Sequence, residues 1–103
     1  MNEYDPTKLP MPLFFTGQVV ATPAALELLE DAGLSAVDLV ARHTYGDWSE
    51  MCSEDQVQNL LAVRDGFRVF SSYRIGEGAD ATRVWVITEA DRQTTTLLLP
   101  EEY

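Results

Sequence analysis

The sequence is short of positive charge. Seven Lys and Arg stand against seventeen Asp and Glu, for a formal net charge of −10 over 103 residues. A domain that grips nucleic acid through its phosphates needs a basic face, so direct nucleic-acid binding is not expected. Cysteine is nearly absent. Cys52 stands alone, which excludes an internal disulfide and fits a reducing compartment. Histidine is equally scarce, with His43 its one representative. A single histidine, a single cysteine and scattered carboxylates do not supply zinc-ligand spacing, so no metal is expected. The glycines form no phosphate cradle either, because Gly76-Glu77-Gly78 is not followed by a helix. No apolar run approaches the roughly 18 residues of a membrane span. The opening residues are polar and carry Glu3 and Asp5, unlike a secretory leader. The expectation is a protein with no cofactor and no membrane association.

What is present is enough for one domain. The hydrophobic fraction, 46%, is ordinary for a globular chain, and a chain of this size builds a core without a disulfide or metal staple. Residues 1–12 hold Pro6, Pro10 and Pro12; lacking backbone N–H groups, these keep the segment out of a helix, and it reads as a flexible acidic arm. Residues 13–103 read as a single α+β domain.

The chain from Leu13 to Ala21 reads as a strand, or as two short pieces hinged at Gly17. Thr22-Pro23 opens a first helix, the threonine as cap and the proline at the first position. Ala25, Leu28, Leu29 and Ala32 form its apolar stripe, and Gly33 ends it. Ser35 caps a second helix with Asp38 three residues on; its stripe is Ala36, Val37, Val40 and Ala41. Ser53 and Gln56 repeat that pattern for a third helix, with Val57, Leu60 and Leu61 on one face and Asp65-Gly66 at its end. After Gly66 the period becomes two: Phe67, Val69, Ser71, Tyr73 and Ile75 share one side of a strand. Residues 83–100 then read as a hairpin whose turn is Glu89 to Gln93. The expected fold is three short helices packed on a small antiparallel sheet, a C-terminal three-strand meander with the N-terminal strand at an edge. Leu28, Leu29, Val40, Val57, Leu60, Leu61, Val69, Val84, Val86 and Leu98 are the expected core.

The densest polar and aromatic stretch runs from Ala41 to Glu50. His43 is a candidate base, Asp47 could orient it, and Tyr45 or Ser49 could serve as nucleophile or proton donor; nucleophilic or acid–base chemistry needs such groups within hydrogen-bond reach. Equally, a histidine in the last turn of a helix suits the helix dipole, and Trp48 plugs a gap between helices. At the hairpin tip, Glu89, Asp91 and Arg92 are candidate interaction residues together with Trp48.

Three stretches carry a resemblance: GQVVATPAALELLEDAG, ARHTYGDWSE and RVWVITEADRQTTTLLLPEEY. Across residues 14–103 they resemble a family of small bacterial plasmid-related, mobile-element-associated proteins. The more specific parts are His43, Gly46, Asp47 and Trp48, and the ending from Ile87 to Arg92 with Leu98, Leu99, Pro100 and Tyr103. The resemblance implies a bacterial, cytoplasmic, mobile-element setting and assigns no catalytic residue. The arm at 1–12 has no counterpart in it.

Acidity and this setting together lead to the expectation of a non-enzymatic interaction protein. Its partner would carry a basic surface, such as the nucleic-acid-binding groove of a host defence complex. A small hydrolase or ribonuclease using His43, and a homo-oligomeric regulatory module, are the alternatives.

Overall fold

The structure, a computed structural model, describes residues 11–103. All but the last two residues of the expected arm lie outside it. Four strands and three helices follow in the order β1 (Gln18–Ala21), α1 (Pro23–Asp31), α2 (Ala36–Thr44), α3 (Ser53–Asp65), β2 (Val69–Ile75), β3 (Thr82–Thr88) and β4 (Thr94–Leu98). Short 3-10 turns fill Gly78–Asp80 and Pro100–Glu102. The α+β architecture is the expected one. The sheet order is β1-β4-β3-β2. The last three strands form the antiparallel meander, and β1 takes an edge. One feature differs: β1 runs parallel to β4, so the sheet is mixed. The helices between them return the chain to the starting end before the meander begins.

The strand expected from Leu13 shrinks to its second half. Gly17 is the reason. Its φ is +63°, and a Cβ there would lie 2.2 Å from the Gln93 carbonyl oxygen. The chain bends against the hairpin turn at that point and only then enters the sheet. Before the bend, Leu13 N–H bonds the Thr44 carbonyl, and Phe14 is buried.

The first two caps form as the sequence indicates. Thr22 Oγ1 accepts from the Ala25 N–H and Ser35 Oγ from the Asp38 N–H. The third does not. Cys52, with no side-chain bond, is the cap of α3; Ser53 already lies inside the helix, and Gln56 Nε2 donates to the Met51 carbonyl.

The helices cover one face of the sheet, and the core lies between. Leu29, Leu39, Tyr73, Ile75, Val84, Val86 and Leu97 form its main cluster, with Leu28 and Val40 packed at its margin. Phe14, Trp48, Ala62 and Val69 form a second cluster. Two helix faces differ from expectation. On α3, Val57 and Leu60 are exposed, and the buried residues are Asn59 and Ala62. On α2, Val37 is exposed and Leu39 and His43 are buried. In both cases a polar residue points inward because the sheet offers it hydrogen-bond partners, and the helix rotates to suit. The opposite sheet face carries an edge-to-face aromatic row, Phe70–Trp85–Tyr103, with centroid separations of 4.9 and 5.6 Å.

Candidate functional site

A chain of buried side-chain hydrogen bonds crosses the core. Trp48 Nε1 donates to Ser71 Oγ at 2.9 Å. Ser71 Oγ lies 2.5 Å from His43 Nδ1, and His43 Nε2 lies 2.9 Å from Thr88 Oγ1. Thr88 and Thr95 hydroxyls are 2.6 Å apart, and Thr95 donates to the Thr16 carbonyl at 2.8 Å. The two ends fix every proton between them. An indole N–H can only donate and a carbonyl can only accept. Five protons serve five bonds in one direction: Trp48 to Ser71, Ser71 to Nδ1, Nε2–H to Thr88, Thr88 to Thr95, Thr95 to Thr16. His43 is therefore neutral and carries its proton on Nε2.

Its surroundings enforce the same state. The ring is fully buried, and burial, helped by the positive charge of Arg92, pushes its pKa down to about 3. Phe14 meets the ring edge-on at 5.0 Å, and Arg92 lies over the other side of that link, 5.5 Å from the Phe14 centroid. Through this stack the His43–Trp48 segment and the hairpin tip converge in space.

The candidate triad of the sequence does not assemble. Asp47 turns away from His43 toward Arg42 Nε at 2.7 Å and Ser49 Oγ at 2.9 Å. Hydrogen bonding by Arg42 holds its carboxyl below the usual range. Tyr45 is half exposed on a different surface. Asp47 contributes through its backbone instead, its carbonyl accepting from Tyr73 Oη at 2.9 Å. Burial pushes the Tyr73 hydroxyl up to about 12, so this group is a fixed donor.

The interaction candidates divide. Trp48 is buried. Arg92 is turned inward: Nη1 donates to the Phe67 carbonyl at 2.7 Å and Nη2 to the Ala62 carbonyl at 3.1 Å, near the C-terminal end of α3. Glu89 and Asp91 shape the turn, Glu89 by its carbonyl accepting the Arg92 N–H and Asp91 by accepting the Gln93 N–H. Of the four, Asp91 is the exposed one.

A surface cluster of charge surrounds Glu50. Its carboxylate takes Arg42 Nη2 at 2.8 Å and the backbone N–H of Arg74 at 2.7 Å. Arg83 Nη1 stands 3.6 Å away, an ion-pair separation too long for a hydrogen bond, and has no hydrogen-bond partner among the described residues. Partial burial favours the neutral acid, but the bonds from Arg42 and Arg74 outweigh it and leave the Glu50 carboxyl below its usual range. No group of three or more His, Cys, Asp or Glu among the described residues could hold a metal ion. No helix among them is long and apolar enough to cross a membrane. No protein-family model, curated protein or solved structure matches the chain.

Ser71, Thr88, Thr95 and Asn59 are the contributors to which sequence reasoning assigned no role. The signal for the first three was there. Each falls at an inward strand position between valines, leucine or tyrosine, where an unpartnered hydroxyl would be costly. For Asn59 the mark is an amide on the buried side of a helix.

Proposed function

We propose that the protein is a non-enzymatic interaction module for a partner with a basic surface. The observation that carries this reading is the unequal engagement of its charges. Among the described residues, each arginine is turned to a group of the chain itself. Arg42 and Arg83 approach Glu50, Arg64 pairs with Asp65, Arg68 reaches Tyr103, Arg74 reaches the Gly78 carbonyl and Arg92 the carbonyls around α3. Of the carboxylates, Asp47, Glu50 and Asp65 are ion-paired. Glu27, Glu30 and Asp31 on α1, Glu54 and Asp55 at the start of α3, and Glu77 and Asp80 before β3 are exposed. The described surface thus offers acids without competing bases, which steers a basic partner and repels nucleic acid. The sealed, neutral His43 supports the non-enzymatic part, because a general base must reach its substrate's proton. In the mobile-element setting that the resemblance implies, the fitting partner is a nucleic-acid-binding groove of a host complex.

The test is affinity capture from a bacterial lysate on the immobilised chain at low and high salt, followed by binding of the purified partner in competition with DNA or RNA. A basic partner held at low salt, released at high salt and displaced by nucleic acid is the expected result. Absence of any salt-sensitive basic partner overturns the reading. Reversing Glu27, Glu30 and Asp31 to lysine weakens capture without unfolding the chain if α1 is part of the acidic surface.

A further inference from the structure

The two edges of the sheet are finished differently. At the β2 edge, the outward backbone groups of Phe70 are both taken by one side chain: Asn59 Oδ1 accepts from its N–H at 3.1 Å, and Asn59 Nδ2 donates to its carbonyl at 2.6 Å. Further along, the Glu50 carboxylate takes the Arg74 N–H. A strand arriving there meets occupied groups. At the β1 edge, no described side chain does this. Pairing with β4 uses the N–H groups of Gln18 and Thr22, and the parallel register directs N–H and C=O of Val19 and Ala21 outward. Beside that edge lies a groove of about 420 Å³ lined by Phe15, Val19, Val37, Val40 and Tyr45 among others, none of the described residues that line it charged. Phe15 is 80% and Val37 76% exposed.

We propose that β1 and this groove dock a second copy of the chain, the two β1 strands pairing antiparallel about a two-fold axis at Val20 to make one continuous eight-stranded sheet. Charge decides the occupant. A basic partner finds no carboxylate in this groove to pair with. A second copy brings an equally uncharged groove, so although each chain has a net charge of −10 the apolar faces meet without a described carboxylate between them. Register agrees. Placing Val19 opposite Ala21 of the second copy engages both outward residues of each strand in four backbone hydrogen bonds, whereas a shift by one residue opposes groups already bonded to β4. The apolar faces around Phe15 and Val37 then lie on the same side of the joined sheet. A specific interface buries about 800 Å² per partner, and a four-residue strand with these side chains falls at the low end of that class. The dimer is therefore weak and concentration-dependent. Because both chains are acidic, added salt strengthens it, the reverse of the salt effect on a basic partner.

Sedimentation of the full chain over a range of concentrations at low and high salt tests the proposal. A monomer–dimer equilibrium that moves toward dimer with salt is expected. Val37→Glu removes the dimer while circular dichroism and the melting curve stay as before. In a Cys52→Ser background, Val20→Cys cross-links two chains on mild oxidation, because facing residues of a non-hydrogen-bonded pair have Cα atoms about 4.5 Å apart, within disulfide reach. Monomer mass at every concentration and salt overturns the proposal. So does a dimer that withstands Val37→Glu and fails to cross-link through position 20. Neither result touches the salt-weakened capture of a basic partner, which uses the charged surfaces.

Discussion

His43 Nε2 lies 2.9 Å from the Thr88 hydroxyl, tying the last turn of α2 to the end of β3. That bond is the middle link of the chain running from Trp48 to Thr16, and the neighbouring link, from Ser71 to His43, holds only while Nδ1 remains an acceptor. Protonation would turn Nδ1 into a donor facing Ser71, which already accepts from Trp48. The pH dependence follows from the pKa of about 3 in the folded state against an ordinary 6.5. Above pH 6.5 both states hold neutral histidine and the residue adds no pH dependence. Below it, the unfolded chain binds a proton that the folded chain refuses. Stability then falls by about 1.4 kcal/mol per pH unit until the folded pKa is reached. Urea unfolding between pH 7 and 5 should show this slope, and His43→Gln should remove it while lowering stability throughout. The paired carboxylates Asp47 and Glu50, held below their usual range, act in a lower window. Their contribution is full above the ordinary carboxylate range and is lost as pH falls through the folded values.

Gly17 and Gly33 both have positive φ, 63° and 73°, yet they should respond differently to alanine. A Cβ at Gly33 meets nothing within 4 Å, whereas one at Gly17 strikes the backbone of Gln93 at 2.2 Å. Gly33→Ala pays only for left-handed backbone, about 1–2 kcal/mol. Gly17→Ala adds a backbone collision and should exceed that, with a loss of at least about 3 kcal/mol. Chemical denaturation of the two variants beside the parent is the measurement. Equal losses would mean that β1 can draw back from the hairpin turn.

How much of this was legible in the sequence depends on what kind of signal each element left. The helices announced themselves through local chemistry: Thr22, Pro23, Gly33, Ser35 and Gly66 each act within a turn of where they stand. The meander was readable from the period of two. The helix faces were less so. Val57 and Leu60 look like core on α3, but the β2 edge offers Phe70 N–H and C=O to Asn59, and that partner is distant in sequence. The parallel placement of β1 also left no mark, because four residues without a turn partner fit either direction. His43, Asp47 and Tyr45 looked like a possible catalytic group because proximity along the chain says nothing of direction; folding sends one into the core and the other two to separate surfaces.

Asn59 should be costly to remove. Asn59→Ala deletes both bonds to Phe70 and leaves the backbone groups of an edge strand open, a loss of about 2–3 kcal/mol. Asn59→Asp keeps the acceptor for the Phe70 N–H but sets a carboxylate against the Phe70 carbonyl, so it should rescue less than half of that loss. Unfolding curves give the energies. Light scattering of Asn59→Ala at rising concentration should reveal association through the opened β2 edge, distinguishable from β1 pairing because Val37→Glu does not suppress it.

Arg92 combines an unfavourable backbone with favourable side-chain bonds. It is the one non-glycine residue with positive φ among the described residues, at 60°. Its guanidinium spans the Phe67 and Ala62 carbonyls and covers Phe14. Arg92→Ala loses those bonds and keeps the strain. Arg92→Gly loses the same bonds and releases it, so glycine should be the milder change by about 1–2 kcal/mol. Arg92→Lys keeps the charge but replaces a fork of donors by a point, which cannot reach both carbonyls at once, and should fall near alanine. The order of the three in a denaturant titration, glycine above lysine and alanine, separates backbone strain from the clasp. If lysine instead matched the parent, charge over Phe14 and at the end of α3 would be what holds the hairpin tip, and the forked geometry would be incidental.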